Sequence, residues 1–263
     1  MSERRRALIT GAAARLGRAM ALDLAASGWD IAVHYNTSAG PAEGTVADIR
    51  ALGANAVGVK ADLLDRGELE SLVDRSADGL GGPLSLLINN ASLFENDNAK
   101  NLDRTGWDRA IDSNLWGPVV LTRDFANQAP KATRDANAEP LAQAVVINML
   151  DQRVLKPTPH FQSYFIAKSG LYAFTRTAAQ SLAPDIRVAA IGPGPTLEAT
   201  HQSGNHFARQ RAACILGRGS DPEDIVGAMR FILSNKAFTG QMLAIDGGQH
   251  LSWQTPDVIG SGA

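Results

Sequence analysis

The amino-acid sequence predicts an α/β protein with a doubly wound parallel sheet of about seven strands and helices on both faces of the sheet. Short β-rich runs alternate with longer helical patterns along the 263 residues, and most of the runs are continuously apolar. Continuous apolar runs are typical of strands that are buried on both faces of a parallel sheet. The alternation of strand and helix predicts right-handed crossover connections.

Seven runs are predicted as strands: residues 7–10, 31–34, 56–60, 84–88, 144–149, 187–191 and 242–245. Amphipathic stretches between them predict helices, among them 15–27, 41–52, 67–78 and 161–182. One long polar interruption, 127–139, is predicted as a surface loop before the fifth strand. Ligands of doubly wound sheets bind beyond the carboxyl ends of the strands, so functional residues are expected there.

Composition and charge exclude several classes of function. With 25 Lys and Arg against 27 Asp and Glu, the net charge is −2, which gives no global attraction to nucleic acid or to an anionic membrane. The single cysteine, Cys214, excludes an internal disulfide framework and fits a reducing compartment. No apolar run approaches the ~18–20 residues of a membrane span, and charged residues interrupt the apolar N-terminal stretch, so no signal peptide is expected. We therefore expect a cytoplasmic protein.

The first predicted strand runs directly into a glycine turn, residues 10–17 (TGAAARLG), and then into a helix. Gly11 permits a tight turn and Gly17 allows the helix to pack closely, while the helix N-terminus offers free N–H groups to a pyrophosphate. We expect Gly11, Arg15, Leu16 and Gly17 to bind a dinucleotide in this Rossmann-type unit. The alternative is that the glycines only form a turn.

The end of the second predicted strand indicates which dinucleotide binds. An NAD-binding unit usually has Asp or Glu there, to bond the ribose 2′-hydroxyl. The sequence instead has Asn36, Thr37 and Ser38, which can donate hydrogen bonds to a 2′-phosphate, with Arg15 supplying charge. This pattern favours NADP(H), and the alternative is a polar surface loop without a ligand.

Polar and small residues follow the third and fourth predicted strands. Asp62, with Leu63 beside it, is expected at the adenine end of the cofactor, and a helix N-cap is an equally good interpretation of Asp62. After the fourth strand, Asn90, Ala91 and Ser92 are expected to border the cofactor, because small residues let the backbone approach a flat ligand.

Tyr164 and Lys168 are four residues apart in a segment with helical apolar spacing, so they share one helix face. A nearby ammonium favours the tyrosine phenolate and lowers its pKa from about 10, which suits a general acid that works near neutral pH. The same spacing occurs on many exposed helix faces, so the pair is informative only in combination with other motifs.

Together these motifs resemble the short-chain dehydrogenase/reductase family along essentially the whole chain. Besides the glycine turn, the resemblance is carried by Asp62, Asn89-Asn90-Ala91, Asn114, Tyr164, Lys168, Pro193-Gly194 and Asp246-Gly247-Gly248. It implies one dinucleotide-binding reductase domain over residues 1–263 and a homotetramer. It also implies a lid at about 195–211 and a C-terminal tail, 249–263, near a subunit interface.

The resemblance implies roles for individual residues. Tyr164 would be the proton donor, and Lys168 would also bond the nicotinamide ribose. Asn114 would hold a water molecule in a proton relay to Lys168. Pro193 and Gly194 would border the nicotinamide.

Four positions depart from the common pattern of this family. Asp151 stands thirteen residues before Tyr164, where a serine normally polarises a substrate carbonyl. Arg15 and Ser92 stand where many relatives have glycine, and Phe94 lies two residues after Ser92. An ionised carboxylate is a poor partner for a carbonyl oxygen and a good partner for a protonated ring nitrogen or an amino group.

These departures resemble the pteridine reductase branch, which includes the bacterial dihydromonapterin reductases. The resemblance implies a small pterin-like substrate stacked between Phe94 and the nicotinamide. Arg15 and Ser92 would bond the pterin or the cofactor phosphate. Asp151 and Tyr164 would share the proton delivery that follows hydride transfer to a C=N bond.

Several alternatives are open at this point. Phe94 can be a loop aromatic packed against the core, and Asp151 can cap the following turn. The substrate can be a ketone, a sugar or a 3-oxoacyl group, and the fold can also serve a non-catalytic NADP(H)-binding regulator. No metal site is expected, because His201 and His206 lack clustered Asp, Glu or Cys partners; both are expected to be exposed lid residues.

Overall fold

The computed structural model describes residues 4–198 and 204–253, and a parallel sheet of seven strands organises them. In chain order the strands are β1 (Arg5–Ile9), β2 (Trp29–Tyr35), β3 (Ala56–Lys60), β4 (Leu86–Asn89), β5 (Thr133–Arg134), β6 (Pro140–Leu141), β7 (Ala144–Met149), β8 (Ile186–Pro193) and β9 (Met242–Ile245). The sheet has the order β3-β2-β1-β4-β7-β8-β9, and β5 and β6 pair with each other outside it.

Helices cover both faces of the sheet. They are α1 (Arg15–Ala26), α2 (Ala39–Ala51), α3 (Arg66–Leu80), α4 (Arg104–Ile111), α5 (Gly117–Gln128), α6 (Gln162–Leu182), α7 (Gly204–Ala212) and α8 (Pro222–Ser234). A π-helical turn, Asp112–Trp116, joins α4 to α5, and 3₁₀ turns at Gln152–Val154 and Gln249–Leu251 follow β7 and β9. All seven predicted strands and all four predicted helices are present, with ends that differ by a few residues.

Successive apolar residues of a strand pack on opposite faces of the sheet, which explains the continuous apolar runs in the sequence. In β1, Ile9 joins the core formed with α1, α2 and α8, together with Met20 and Met229. Leu8 joins the core formed with α3, α5 and α6, where Phe125 is completely buried. Truncating a buried phenylalanine of this kind to alanine costs about 3–5 kcal/mol of stability.

The strand order places the topological switch point between β1 and β4. From β1 the chain builds outward through β2 and β3, and it then returns to β4 and continues on the other side. A switch of this kind leaves a crevice beyond the carboxyl ends of the two central strands. The segments that follow them lie close together, since a Cβ added to Gly11 would come 3.1 Å from the Cα of Ala91.

The segment 127–139 is only partly the loop that the sequence predicts. Its first residues end α5, and the rest contains the antiparallel pairing of β5 with β6. The Asp135 carboxylate accepts hydrogen bonds from the backbone N–H groups of Asn137 (2.8 Å) and Glu139 (3.1 Å), which orders the turn. Two-residue strands are too short to produce an alternating pattern, so periodicity does not reveal them.

Within residues 4–198 and 204–253, no helix combines the length and the apolar character that crossing a membrane requires. The expected lid and the expected tail lie partly outside the described residues, because 199–203, with His201, and 254–263 are not among them.

Candidate active site

The glycine turn after β1 forms one wall of the crevice. Gly11 has a positive φ of 64°, and a Cβ on Gly17 would clash with the carbonyl oxygen of Gly11, so both positions require glycine. The Asn90 side chain donates hydrogen bonds to the carbonyl oxygens of Thr10 (2.8 Å) and Gly11 (3.3 Å) and ties the loop after β4 to the turn. Helix α1 begins with Ala14 as its N-cap, whose side chain cannot accept a hydrogen bond. An N-terminus without a capping side chain suits an anionic ligand.

Arg15 links the glycine turn to the beginning of the segment that the sequence predicts as a lid. It is exposed, its backbone is left-handed with φ 55°, and its guanidinium donates to the carbonyl oxygens of Glu198 (2.9 Å) and Leu197 (3.3 Å). The sequence does not indicate this contact, because the partners are more than 180 residues away. Leu16, the next residue, packs partly buried against the core.

His34 at the end of β2 is a site residue that sequence reasoning missed. Its Nδ1 accepts a hydrogen bond from the backbone N–H of Gly11 (3.0 Å), so its Nε2 carries the proton and donates to the carbonyl oxygen of Ala61 (3.0 Å). Burial lowers the pKa of His34 from 6.5 to about 4, which keeps the ring neutral. The neutral ring thereby holds the glycine turn against the segment after β3. The only signal in the sequence is a histidine in an otherwise apolar strand.

The residues expected to select the cofactor lie where the sequence places them. Asn36, Thr37 and Ser38 are exposed in the turn between β2 and α2, and this turn carries no acidic side chain. Ser38 is the N-cap residue of α2. The structure records no contact between this turn and Arg15 in the described part of the chain.

Asp62 is not the N-cap of α3, so that interpretation is wrong. Its Oδ1 accepts a hydrogen bond from the backbone N–H of Leu64 (3.0 Å), whereas Asp65 caps the helix by accepting from the N–H of Glu68 (2.9 Å). Asp62 therefore orders the turn just beyond β3. The neighbouring Leu63 directs its side chain into the core.

Asn114 lies in the π-helical turn between α4 and α5 and is completely buried. Its side-chain nitrogen donates to the carbonyl oxygens of Leu93 and Ala110, both at 3.0 Å. Its oxygen accepts from the hydroxyl of Ser92 (2.8 Å) and from the N–H of Leu93 (3.2 Å). Asn114 thus holds the loop after β4 in place. Single π-helical turns inside helices are frequent at functional sites.

Asp151, Tyr164 and Lys168 meet at the carboxyl end of β7. The Tyr164 hydroxyl donates a hydrogen bond to Asp151 Oδ2 (3.2 Å), and Asp151 Oδ1 accepts from the backbone N–H of Arg153 (2.8 Å). Asp151 therefore caps the following turn and contacts the tyrosine at the same time. Lys168, one turn along α6 from Tyr164, donates to the carbonyl oxygen of Met149 (2.8 Å). Its Nζ lies 5.7 Å from the centroid of the Tyr164 ring.

Burial dominates the electrostatics of these three groups. It raises the pKa of Asp151, and it lowers the pKa of Lys168 from 10.5 to about 8. Burial, followed by the charge of Asp151, raises the pKa of Tyr164 well above 10, so the expectation of a lowered tyrosine pKa is wrong. Both Asp151 and Tyr164 are thus biased toward their protonated forms, and protonated groups can donate a proton.

Two phenylalanines stand beside the tyrosine. Phe94 lies in the loop after β4 and is 42% exposed, so it is not itself a buried core side chain. Its ring stacks on Phe161 with centroids 4.0 Å apart and planes 6° apart, and it meets the Tyr164 ring edge-on at 4.8 Å. Sequence reasoning missed Phe161, the N-cap residue that precedes α6, whose backbone is left-handed (φ 58°).

Pro193 and Gly194 lie where β8 ends, next to the end of β9. The N–H of Gly194 donates to the carbonyl oxygen of Ile245 (3.0 Å), and a Cβ on Gly194 would come 2.6 Å from the Cα of Asp246. Asp246 is buried and accepts from both the backbone N–H (2.8 Å) and the ring Nδ1 (2.7 Å) of His250. The first part of the expected tail is thereby joined to this edge of the site.

Among residues 4–198 and 204–253, no group of three or more His, Cys, Asp and Glu side chains is arranged to hold a metal ion. His206 lies on α7 and is exposed, as expected.

Comparisons with known proteins agree with this architecture. Residues 11–250 match the family model described as enoyl-(acyl carrier protein) reductase. The 3-oxoacyl-[acyl-carrier-protein] reductase of Synechocystis sp. is 31% identical over 92% of this chain and 95% of its own length.

Two solved structures are similar in both fold and sequence. FolM alternative dihydrofolate reductase 1 from Brucella suis, in complex with NADP, superposes with a TM-score of 0.89 at 42% identity, over 97% of this chain and 98% of its own. The protein of the same name from Brucella canis, complexed with NADP, has a TM-score of 0.89 at 41% identity over 97% of each chain.

Proposed function

The chain belongs to the short-chain dehydrogenase/reductase family of oxidoreductases, and we propose that it is an NADPH-dependent reductase of a C=N bond in a pterin. The observation that carries this proposal is the hydrogen bond between Tyr164 and Asp151 at the carboxyl end of the sheet. It puts a carboxyl group next to the proton-donating tyrosine, in addition to the hydroxyl of Ser92, whose hydrogen bond lowers the pKa of Tyr164 against the larger effect of burial.

NADP(H) fits the residues on the cofactor side of the crevice. Gly11 and Gly17 let the turn, the start of α1 and the loop after β4 pack closely together, and the N-terminus of α1 lacks a capping side chain. The turn at Asn36, Thr37 and Ser38 has hydrogen-bond donors and no carboxylate that would repel a 2′-phosphate. The NADP complexes of the two Brucella relatives support the same assignment.

A flat heterocycle fits the residues on the substrate side. Phe161 covers one face of Phe94, and Phe94 still exposes almost half of its surface beside Tyr164. An exposed aromatic face favours stacking with a planar ring. The hydroxyl of Ser92 lies in the same loop, fixed by Asn114, and can bond a polar edge of such a ring. The printed name of the Brucella proteins, dihydrofolate reductase, names a substrate of this class.

The chain's own residues supply the proton. NADPH, when bound, supplies the hydride for the carbon of the C=N bond. Asp151 and Tyr164, which we call the proton-donating pair, deliver a proton to the nitrogen, so a CH–NH unit results and the pair is left with one proton fewer. Lys168 lies beside the tyrosine and stabilises the negative charge that the pair then carries. A proton from solvent restores the pair.

A carbonyl reductase is the second candidate, and the similarity to the 3-oxoacyl-[acyl-carrier-protein] reductase of Synechocystis favours it. Such an enzyme polarises its substrate oxygen with a hydroxyl group thirteen residues before the tyrosine. In this chain Asp151 occupies that place, so the polarising hydroxyl is replaced by a carboxyl group, which can donate a hydrogen bond to a carbonyl oxygen only while it is protonated. A non-catalytic NADP(H)-binding regulator is less favoured still, since it has no use for the buried Tyr164, Lys168 and Asn114.

We test the proposal by NADPH oxidation, followed by absorbance, with a dihydropterin, dihydrofolate, a 3-oxoacyl thioester and a diketone as separate substrates. The Tyr164→Phe variant serves as the control for turnover that uses the site. We expect oxidation with the dihydropterin or dihydrofolate and little with the carbonyl compounds. Turnover of the thioester alone would support the second candidate, and NADPH binding without any turnover would support the regulator.

We also propose a homotetramer. The apolar side chains of Leu216, Leu251 and Trp253 are more than half exposed. Leu251 and Trp253 belong to the tail, and the backbone N–H of Leu216 donates a hydrogen bond to the carbonyl oxygen of Gly247, just before the tail. Light scattering on the full chain and on a chain without residues 254–263 tests this. We expect a tetramer from the full chain and a smaller species from the shortened one.

A further inference from the structure

We propose that Arg153 is a positioning residue that holds Asp151 and the Phe94–Phe161 stack in one unit, and that it sets the pH range and the substrate fit of the site. This inference rests on the proposed function. Nothing in the sequence pattern singled out Arg153, which is two residues beyond Asp151.

Arg153 contacts the carboxylate through both its backbone and its side chain. Its backbone N–H donates to Asp151 Oδ1 at 2.8 Å, and its Nε lies 3.9 Å from Asp151 Oδ2. The guanidinium is held from the other side by a hydrogen bond of 2.8 Å to the hydroxyl of Thr158. The side chains of Arg153 and Asp151 are only 18% and 20% exposed, so water screens their ion pair less than it screens a pair on the surface.

The same guanidinium contacts both aromatic rings. Its Cζ lies 5.1 Å from the centroid of Phe161 and 5.7 Å from that of Phe94, within the range of cation–π attraction. Since the two rings are parallel at 4.0 Å, a single cation stabilises the stack as a whole. Arg153 therefore fixes the Phe94–Phe161 stack, on which the substrate is proposed to lie, relative to the proton-donating pair.

The stack is also anchored from the loop that carries Phe94. The Phe161 N–H donates to the carbonyl oxygen of Asp97 (2.8 Å), and the Asp97 carboxylate accepts from the backbone N–H and the hydroxyl of Ser163. Phe94 and the first turn of α6 are thus joined on one side by Asp97 and on the other by Arg153. Of these two, only Arg153 reaches the Asp151 carboxylate.

The charge of Arg153 acts on both members of the proton-donating pair. The groups that face Asp151 are Tyr164, Lys168 and Arg153, and the guanidinium lowers the pKa values of both Asp151 and Tyr164 against the larger effect of burial. Removing this charge raises both pKa values. A protonated group donates the proton, so activity persists to higher pH without Arg153, whichever of the two residues is the donor.

Two substitutions separate the charge from the planar contact. Arg153→Met removes the charge and keeps an apolar side chain of similar length. Arg153→Lys keeps the positive charge but loses the planar guanidinium. The guanidinium stacks on aromatic rings and donates hydrogen bonds in a fixed geometry, which an ammonium group does not do. Arg109→Met is the matched control: Arg109, on α4, pairs at 2.9 Å with Glu95, which lies on the loop that carries Phe94, and its side chain is 43% exposed.

The first readout is the pH profile of dihydropterin reduction. For Arg153→Met we expect the high-pH limb of kcat/KM to move up by about one pH unit, the shift typical of a charge at this distance. We also expect a rise of about tenfold in the dihydropterin KM, with NADPH affinity unchanged. In Arg153→Lys, the high-pH limb of kcat/KM should stay at its wild-type position, while the dihydropterin KM should rise. Arg109→Met should change neither the pH profile nor the KM. A wild-type profile and KM in Arg153→Met would overturn the inference.

The second readout needs no turnover, so it separates this inference from the proposed function. The Asp151 carboxyl is titrated by NMR in protein labelled with ¹³C-aspartate, with Asp151→Asn assigning the resonance. We expect a higher pKa in Arg153→Met than in the wild type and in Arg109→Met. If no dihydropterin is reduced but this shift occurs, the substrate assignment fails and the coupling of Arg153 to Asp151 stands. If dihydropterins are reduced and no shift occurs, the inference fails.

Discussion

The Tyr164 hydroxyl donates a hydrogen bond of 3.2 Å to Asp151 Oδ2. The two residues are thirteen positions apart and meet because β7 ends and α6 begins at the same edge of the sheet. The tyrosine thus has a carboxyl partner that can give up and take back a proton, whereas a serine hydroxyl at this place would stay protonated near neutral pH. Burial favours the protonated form of both groups.

The first prediction concerns Asp151→Ser, which restores the residue common in the family. We expect kcat/KM for a dihydropterin to fall by about 100-fold or more, the usual contribution of a positioned acid–base group. NADPH affinity, measured by fluorescence, should stay within about twofold. Asp151→Asn keeps the shape of the side chain and should lose as much activity. Undiminished dihydropterin turnover in Asp151→Ser would contradict the role of the carboxyl group.

The second prediction concerns Lys168 and stability. Its pKa is about 8 in the folded protein against 10.5 for the free side chain, so between these values the unfolded chain binds more protons. The wild-type free energy of unfolding should therefore rise with pH across this window, by up to about 3 kcal/mol. Lys168→Met should lack this rise and should be inactive. Urea unfolding at about pH 8 and about pH 10 measures the difference, and equal pH slopes in both proteins would contradict it.

The third prediction concerns His34 at low pH. Its pKa is about 4 in the folded protein against 6.5, so the unfolded chain binds the extra proton in this window and stability falls as pH falls. His34→Asn should remove most of this loss, about 3 kcal/mol, from the pH dependence of urea unfolding. His206→Asn, at an exposed histidine, is the control and should behave as the wild type. If the free energy of unfolding of His34→Asn falls with decreasing pH as steeply as that of the wild type, the imidazole ring is not held neutral in the folded protein.

The fourth prediction concerns cofactor choice. Asn36→Asp introduces a carboxylate beside the expected 2′-phosphate, and like charges at an interface cost several kcal/mol. We expect the affinity for NADPH to fall by about tenfold or more while the affinity for NADH is spared, as measured by titration. Asn36→Ala removes the donor without adding charge and should lose less. Unchanged NADPH affinity in Asn36→Asp would place the phosphate elsewhere.

The sequence predicts the sheet well because burial on both faces leaves a strong apolar signal. All six residues of β7 are buried, and 144–149 are recognised without any tertiary information. Tyr164 and Lys168 are four residues apart, and this spacing alone places them on one face of an α-helix. Predicting it requires no contact with a distant part of the chain.

The missed features depend on contacts between distant parts of the chain. His34 forms hydrogen bonds with Gly11, which follows β1, and with Ala61, which follows β3. The direction of the Tyr164 pKa depends on burial and on Asp151, so the neighbouring Lys168 alone predicts it wrongly. Local pattern contains neither kind of information.

The most direct test of the central claim is a crystal structure of the protein with NADP⁺ and a dihydropterin. The account predicts the pterin ring between Phe94 and the nicotinamide, with a ring nitrogen within hydrogen-bond distance of Tyr164 or Asp151. A pterin bound away from Phe94, or with no nitrogen near either of these residues, would contradict it.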